Sequence, residues 1–120
     1  MAIEAETIDS EFEEMRSGLN DLFKIWETEE KSQALRKHVE RIVRASHEDF
    51  KRSNQTVGAV RDVFMKLTSS VCISVEGAYG ECRPGSVGHN LKYQMKIIIN
   101  LTWDRVRAIA AQAEREKEVA

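Results

Sequence analysis

The chain has 120 residues, 42% of them hydrophobic and 32% charged, and its formal net charge is −2. That length fits a single domain over residues 1–120, and we expect frayed ends at 1–8 and 117–120. The composition excludes a disordered chain, and no run approaches the ~18 consecutive apolar residues that cross a bilayer. The acidic N-terminus lacks the basic and apolar segments of a secretory signal, so we expect a cytoplasmic protein and leave a nuclear location open.

The first predicted helix covers about residues 10–27. Ser10 and Glu13 have the spacing of a capping box, which marks the start of a helix. Apolar residues then recur three and four positions apart, as on the buried side of an amphipathic helix: Phe12, Met15, Leu19, Leu22, Phe23 and Trp26.

Two further amphipathic helices are predicted at about 29–52 and 55–69. The inner face of the second helix is apolar apart from one serine, with Leu35, Val39, Ile42, Val43, Ser46 and Phe50. Its outer face is basic and carries Lys37, Arg41, Arg44, Lys51 and Arg52. The third helix repeats apolar residues at helical spacing, with Val57, Val60, Phe64 and Leu67.

A change from helical spacing to strict alternation predicts a β-hairpin with strands at about 70–81 and 90–101. The odd positions are almost all apolar, from Val71, Ile73 and Val75 to Leu91, Tyr93, Met95, Ile97, Ile99 and Leu101. Between the strands, Pro84-Gly85 is typical of a type II turn. For both apolar sets to share one face, the loop must be longer than this pair, or a bulge must absorb one residue.

After the hairpin, Thr102 is expected to cap a C-terminal helix at about 103–116, which makes the predicted fold α+β. The alternative is an all-α antiparallel bundle in which 89–118 is one helix. That helix would carry two apolar stripes on opposite sides, Tyr93-Ile97-Leu101 and Met95-Ile99-Trp103.

Residues that could carry chemistry are scattered. The three histidines and two cysteines show no metal-ligand spacing, and Cys82 with His89 would supply only two ligands in one loop. Neither a phosphate-binding loop nor a catalytic set of nucleophile, base and orienting group is suggested by spacing. We therefore expect no enzyme activity, no metal, no cofactor and no small-molecule ligand, and the two cysteines are expected as thiols.

Protein association is the function that the sequence favours. One hairpin would present a large apolar face and open edges that a short chain cannot easily cover, so we expect a homodimer or a subunit of a complex. Predicted interface residues are the apolar residues off the main stripes, and two on the other face of the first strand: Ile25, Met65, Ile98, Cys72 and Ser74. No membrane partner is expected.

Charge segregation supports an alternative function, the binding of a nucleic-acid duplex through its phosphates. Residues 1–30 carry ten acids and two bases, whereas 31–70 carry nine bases and four acids. The basic face of the second helix would contact the duplex, with Lys92 and Lys96 from the second strand. Against this alternative, the chain is acidic overall and its aromatic residues are expected in the core.

Overall fold

Four helices make up the structure, which is a computed structural model that describes residues 5–25, 30–52, 57–80 and 83–119. The helices are α1 (Ala5–Ile25), α2 (Glu30–Arg52), α3 (Val57–Tyr79) and α4 (Val87–Val119). The described ranges contain no strand, so the predicted α+β fold with a hairpin is wrong. The alternative, an all-α bundle, is the observed fold.

Neighbouring helices are antiparallel, as short connections between helices favour. Each helix packs against two others: α1 and α3 both contact α2 and α4, so within the described ranges α1 lies diagonally opposite α3, and α2 opposite α4. Cross-helix pairs show the direction. Asp9 of α1 meets His47 of α2, and Arg16, further along α1, meets Glu40, earlier in α2.

The core is a continuous apolar cluster to which every helix contributes one stripe. The predicted inner face of α1 is confirmed from Phe12 to Phe23, and Ile8 extends it toward the N-terminus; Trp26 lies outside the described residues. Aromatic rings meet at the centre, where the Phe12 ring lies 5.6 Å from that of Phe64 and 6.1 Å from that of Phe50. Burying each such side chain stabilises the fold by roughly 1.5–3 kcal/mol.

The alternation at 90–101 arises from two helical stripes rather than from a strand. Leu91, Met95 and Ile99 are fully buried, whereas Tyr93, Ile97 and Leu101 are 62%, 41% and 53% exposed. A step of four residues turns a helix by about 400° and returns to the same side, while a step of two turns it by about 200° to the opposite side. Two stripes offset by two residues therefore imitate the pattern of a strand.

The same effect explains the first predicted strand. Helix α3 does not stop at 69 but continues to Tyr79. Val71 and Val75 are buried in it, whereas Ile73 between them is 65% exposed. The apolar residues at odd positions thus divide between the inside and the outside of one helix.

The connection from α3 to α4 contains the predicted turn. The backbone N–H of Ser86 donates to the carbonyl of Arg83 at 3.0 Å, and Gly85 has a positive φ of 85°. This combination confirms the type II turn at Pro84-Gly85, because its third residue must adopt a positive φ. The turn joins two helices instead of two strands.

Helix starts differ from the predicted positions. Ser86 caps α4, since its Oγ accepts from the backbone N–H of His89 at 3.1 Å. Thr102 is therefore not a cap: it is buried in the middle of α4, where its Oγ1 donates to the carbonyl of Ile98. Ser10 likewise lies inside α1, which begins at Ala5.

Candidate association surface

The large exposed hydrophobic side chains of the described ranges lie on one half of the bundle. All five are on α3 and α4: Met65, Ile73, Tyr93, Ile97 and Leu101. Isolated apolar residues are normal on protein surfaces, but a cluster of them marks a site of interaction. The exposed sides of α1 and α2 are instead highly charged.

The outer face of α4, defined as the stripe of Tyr93, Ile97 and Leu101, is apolar, and the exposed charges nearest to it on the helix are Lys96 and Asp104. The three side chains follow one another at intervals of four residues, so they form a stripe over more than two turns. Neutral amides flank the stripe at Asn90, Gln94 and Asn100, all of them exposed. A low content of charged residues and a high content of aromatic and aliphatic residues are typical of the centre of a protein interface.

A groove between α3 and α4 adjoins this face. Its volume is about 480 Å³, and its apolar floor consists of Phe64, Ile99 and Trp103. The rings of Phe64 and Trp103 lie 5.6 Å apart. Lys96 and Asn100 line the groove on the α4 side, next to the exposed stripe. The groove and the outer face of α4 are thus adjacent, with Lys96 and Asn100 between them.

The predicted interface residues do not form one patch. Met65 and Cys72 both line the groove on the α3 side. Ile98, by contrast, packs against the core and approaches Gly18 of α1. Ser74 is half-buried and donates to the carbonyl of Ser70, while the side chain of Ile25 lies outside the described residues.

The residues that sequence reasoning missed are Tyr93, Ile97 and Leu101. The strand interpretation assigned them to a buried face. Their helical stripe was visible in the alternative interpretation of 89–118, but no local signal indicates which of two opposite stripes faces the core. That choice depends on the neighbouring helices.

The basic face of α2 is exposed along its whole predicted length. Its members are Lys37, Arg41, Arg44, Lys51 and Arg52. The ion pairs of this face are local and weak, from Arg44 to Glu40 at 3.9 Å and from Lys51 to Glu48 at 3.6 Å. The other two predicted phosphate contacts lie on α4, diagonally across the bundle: Lys92, which pairs with Glu76 at 3.1 Å, and Lys96.

The acids of α1 do not neutralise this basic face. Glu11 instead accepts a hydrogen bond from Arg105 of α4 at 2.7 Å, and Glu14 forms an ion pair with the same guanidinium at 3.8 Å. The hydrogen bond from Arg105 to Glu11 raises the pKa of the guanidinium above its ordinary value, and both carboxylates add to the rise while partial burial opposes it. Within one molecule, the acids of residues 1–30 therefore neutralise the bases of residues 31–70 only in part.

A histidine–carboxylate pair joins α1 to α2. His47 Nε2 lies 2.5 Å from Asp9 Oδ1, and the imidazole stacks on the Phe12 ring at 4.5 Å. Both contacts hold the two helices together, and we assign the pair a packing role. Among the described residues, no cluster of three or more His, Cys, Asp or Glu side chains could hold a metal ion; Cys82, which shares the predicted loop with His89, lies outside them.

Within the described ranges, none of the helices has the length and apolar character needed to span a membrane. Comparisons with protein-family models, with curated proteins and with solved structures give no match.

Proposed function

We propose that this protein is a non-enzymatic association module that forms a homodimer through the outer face of α4. One observation carries the proposal: the exposed apolar stripe of Tyr93, Ile97 and Leu101, none of which is charged. Burial of these three side chains against a second copy removes apolar surface from water, and none of the three carries a charge that would lose its hydration.

Charge supports a second copy as the occupant of this face. A two-fold axis places a face against an identical copy of itself, so a face with one sign of charge repels its counterpart. The outer faces of α2, which is basic, and of α1, which carries Glu13, Glu14 and Asp21, would both meet this repulsion. The outer face of α4 would not, because its stripe is uncharged and the nearest exposed charges, Lys96 and Asp104, differ in sign.

The spacing of the stripe also suits a two-fold contact. In an antiparallel pair of α4 helices centred on Ile97, Tyr93 of one copy lies opposite Leu101 of the other. Ile97 then lies beside its own counterpart at the axis. Each large side chain has an apolar partner, which is the self-complementarity that such an interface requires.

Light scattering of charge variants tests the dimer. At micromolar concentration the unmodified chain should have twice the monomer mass of 13.7 kDa. Ile97→Glu and Ile97→Lys should each weaken dimerisation at least about a hundredfold, because like charges at the axis cost several kcal/mol. An equimolar mixture of the two variants should recover the dimer, since residue 97 then faces a residue of opposite charge.

Ile73→Glu is the matched control. Ile73 is an exposed isoleucine on α3, outside the outer face of α4, so this variant should keep the dimeric mass. Circular dichroism confirms that each variant remains helical. A monomeric wild type, a mixture that stays monomeric, or an equal effect of Ile73→Glu would each overturn the proposal.

Nucleic-acid binding is the competing outcome. A monomeric chain that retains a generic duplex at low salt, and loses it in Arg41→Glu/Arg44→Glu, would transfer the function to the basic face of α2. If the homodimer proposal holds, the charge-reversed double variant should keep the mass of the dimer.

A further inference from the structure

We propose that the groove between α3 and α4 binds a small amphipathic anion, a carboxylate with an apolar tail. Its volume of about 480 Å³ lies within the range of roughly 300–1,000 Å³ that is usual for small-molecule sites. Binding at this site is distinct from dimerisation, because it uses the flank of α4 that faces α3.

The apolar part of the ligand would rest on the floor of the groove. Trp103 is half-buried and offers the main contact surface, whereas Phe64, against whose ring it is tilted by 38°, and Ile99 are almost fully buried and offer little. Met65, 63% exposed, stands at the edge. A flexible thioether next to two aromatic rings can adapt to the shape of an apolar tail.

The charged residues of the groove indicate that the ligand is negatively charged. The ten residues that line the groove include two bases, Arg61 and Lys96, and no acid. Because α3 and α4 are antiparallel and Phe64 lies beside Trp103, the two bases mark opposite ends of the groove, about 15 Å apart at 1.5 Å per residue.

Lys96 is the better site for the carboxylate. Arg61 already has a neighbouring acid, with Arg61 Nη2 lying 3.9 Å from Asp62 Oδ1. Within the described residues Lys96 makes no ion pair, and the neutral donors Asn100 and Ser69 line the groove with it. From Lys96 to Trp103 the helix rises about 10 Å, which sets the length of the tail between the charged end and the aromatic floor.

Trp103 provides a spectroscopic test, with decanoate as the probe. In a Trp26→Phe background Trp103 is the sole tryptophan, and its emission should change saturably as decanoate is added below its micellar concentration. Decanol and decyltrimethylammonium should bind at least about tenfold more weakly, because they lack the negative charge. Calorimetry on the unmodified chain measures the same affinity without the tryptophan substitution.

Charge reversal at two lysines completes the test. Lys96→Glu should weaken decanoate binding at least about tenfold, whereas Lys66→Glu should not, because Lys66 is an exposed lysine of α3 outside the groove. No saturable signal, equal affinity for the cationic analogue, or equal loss in both variants would overturn the inference. The decanoate titration does not depend on whether the chain is a monomer or a dimer. A monomeric chain that binds decanoate would therefore contradict only the proposed dimer.

Discussion

Gly77 and Gly80 lie three residues apart near the end of α3, yet their backbones differ. Gly77 is helical and exposed, and a Cβ built on it would meet nothing within 4 Å. Gly80 directly follows the helix with a φ of 72°, in the left-handed region that often ends helices. The same substitution should therefore have opposite effects at the two positions.

Gly77→Ala should raise the free energy of unfolding by about 0.5–1 kcal/mol, because alanine loses less backbone entropy in a helix. Gly80→Ala should lower it by roughly 1–2 kcal/mol, because a Cβ strains the left-handed conformation. Urea denaturation of both variants measures the difference. A stabilising Gly80→Ala would contradict the helix end at Tyr79.

At the scale of the elements, α4 is the helix in which the apolar pattern of the sequence and the observed burial of its residues differ most. Its residues 91–101 carry one stripe in the core and another on the surface, and the outer one has the composition of an interface. Helices α1 and α2 lack such a second stripe, because acids or bases occupy their outer sides. This second stripe of α4 is the face that we assign to association.

Substitution of two isoleucines distinguishes a helix from a strand at this segment in solution. Ile97 and Ile99 would share one face of a strand, but in α4 Ile97 is 41% exposed and Ile99 is fully buried. We expect Ile99→Ala to cost about 2–5 kcal/mol of unfolding free energy through the cavity it leaves, and Ile97→Ala less than about 1 kcal/mol.

The measurement is chemical denaturation at a concentration low enough that the chain is monomeric, so that loss of the dimer does not add to the Ile97 effect. Equal costs at the two positions would support the strand. A cost at Ile97 that appears only at high concentration would instead agree with its proposed place at the dimer axis.

At the scale of the whole molecule, α4 is longer than its neighbours. Its 33 residues span about 50 Å, against about 35 Å for the 23 residues of α3, and the molecule is 53 Å long. Both α1 and α3 are antiparallel to α4, and the pairs Glu11–Arg105 and Phe64–Trp103 fix their positions along it. Counted back from these pairs, the described starts of α1 and α3 both lie level with about residue 111 of α4. Helix α4 therefore continues past the described ends of both neighbours.

Removal of residues 113–120 should lower the free energy of unfolding by less than about 1 kcal/mol, because Ala110 is the last buried residue of α4 among the described side chains. A chain that ends at Arg105 serves as the control. It also loses Val106 and Ala110 from the core, so thermal unfolding should show a much larger decrease in stability. Similar losses in the two truncated chains would contradict this alignment.

Much of the first half of the fold was predictable from the sequence. The inner faces of α1 and α2 follow the helical period without competition, since charged residues fill the other positions. The type II turn was also predictable, because Pro84-Gly85 restricts the backbone locally. The candidate site was predictable only in fragments, as Met65 and Cys72, since the groove needs α3 and α4 to be adjacent helices.

The sequence by itself determined where apolar residues recur, where the chain must turn and which faces of the first two helices are charged. Only the tertiary structure decided that 71–79 and 91–101 are helical and that Leu91, Met95 and Ile99 face inward while Tyr93, Ile97 and Leu101 face outward. The physical reason is that positions two apart lie on one side of a strand but on opposite sides of a helix. Packing against α1 and α3 distinguishes these cases, and it leaves the apolar outer face of α4 exposed.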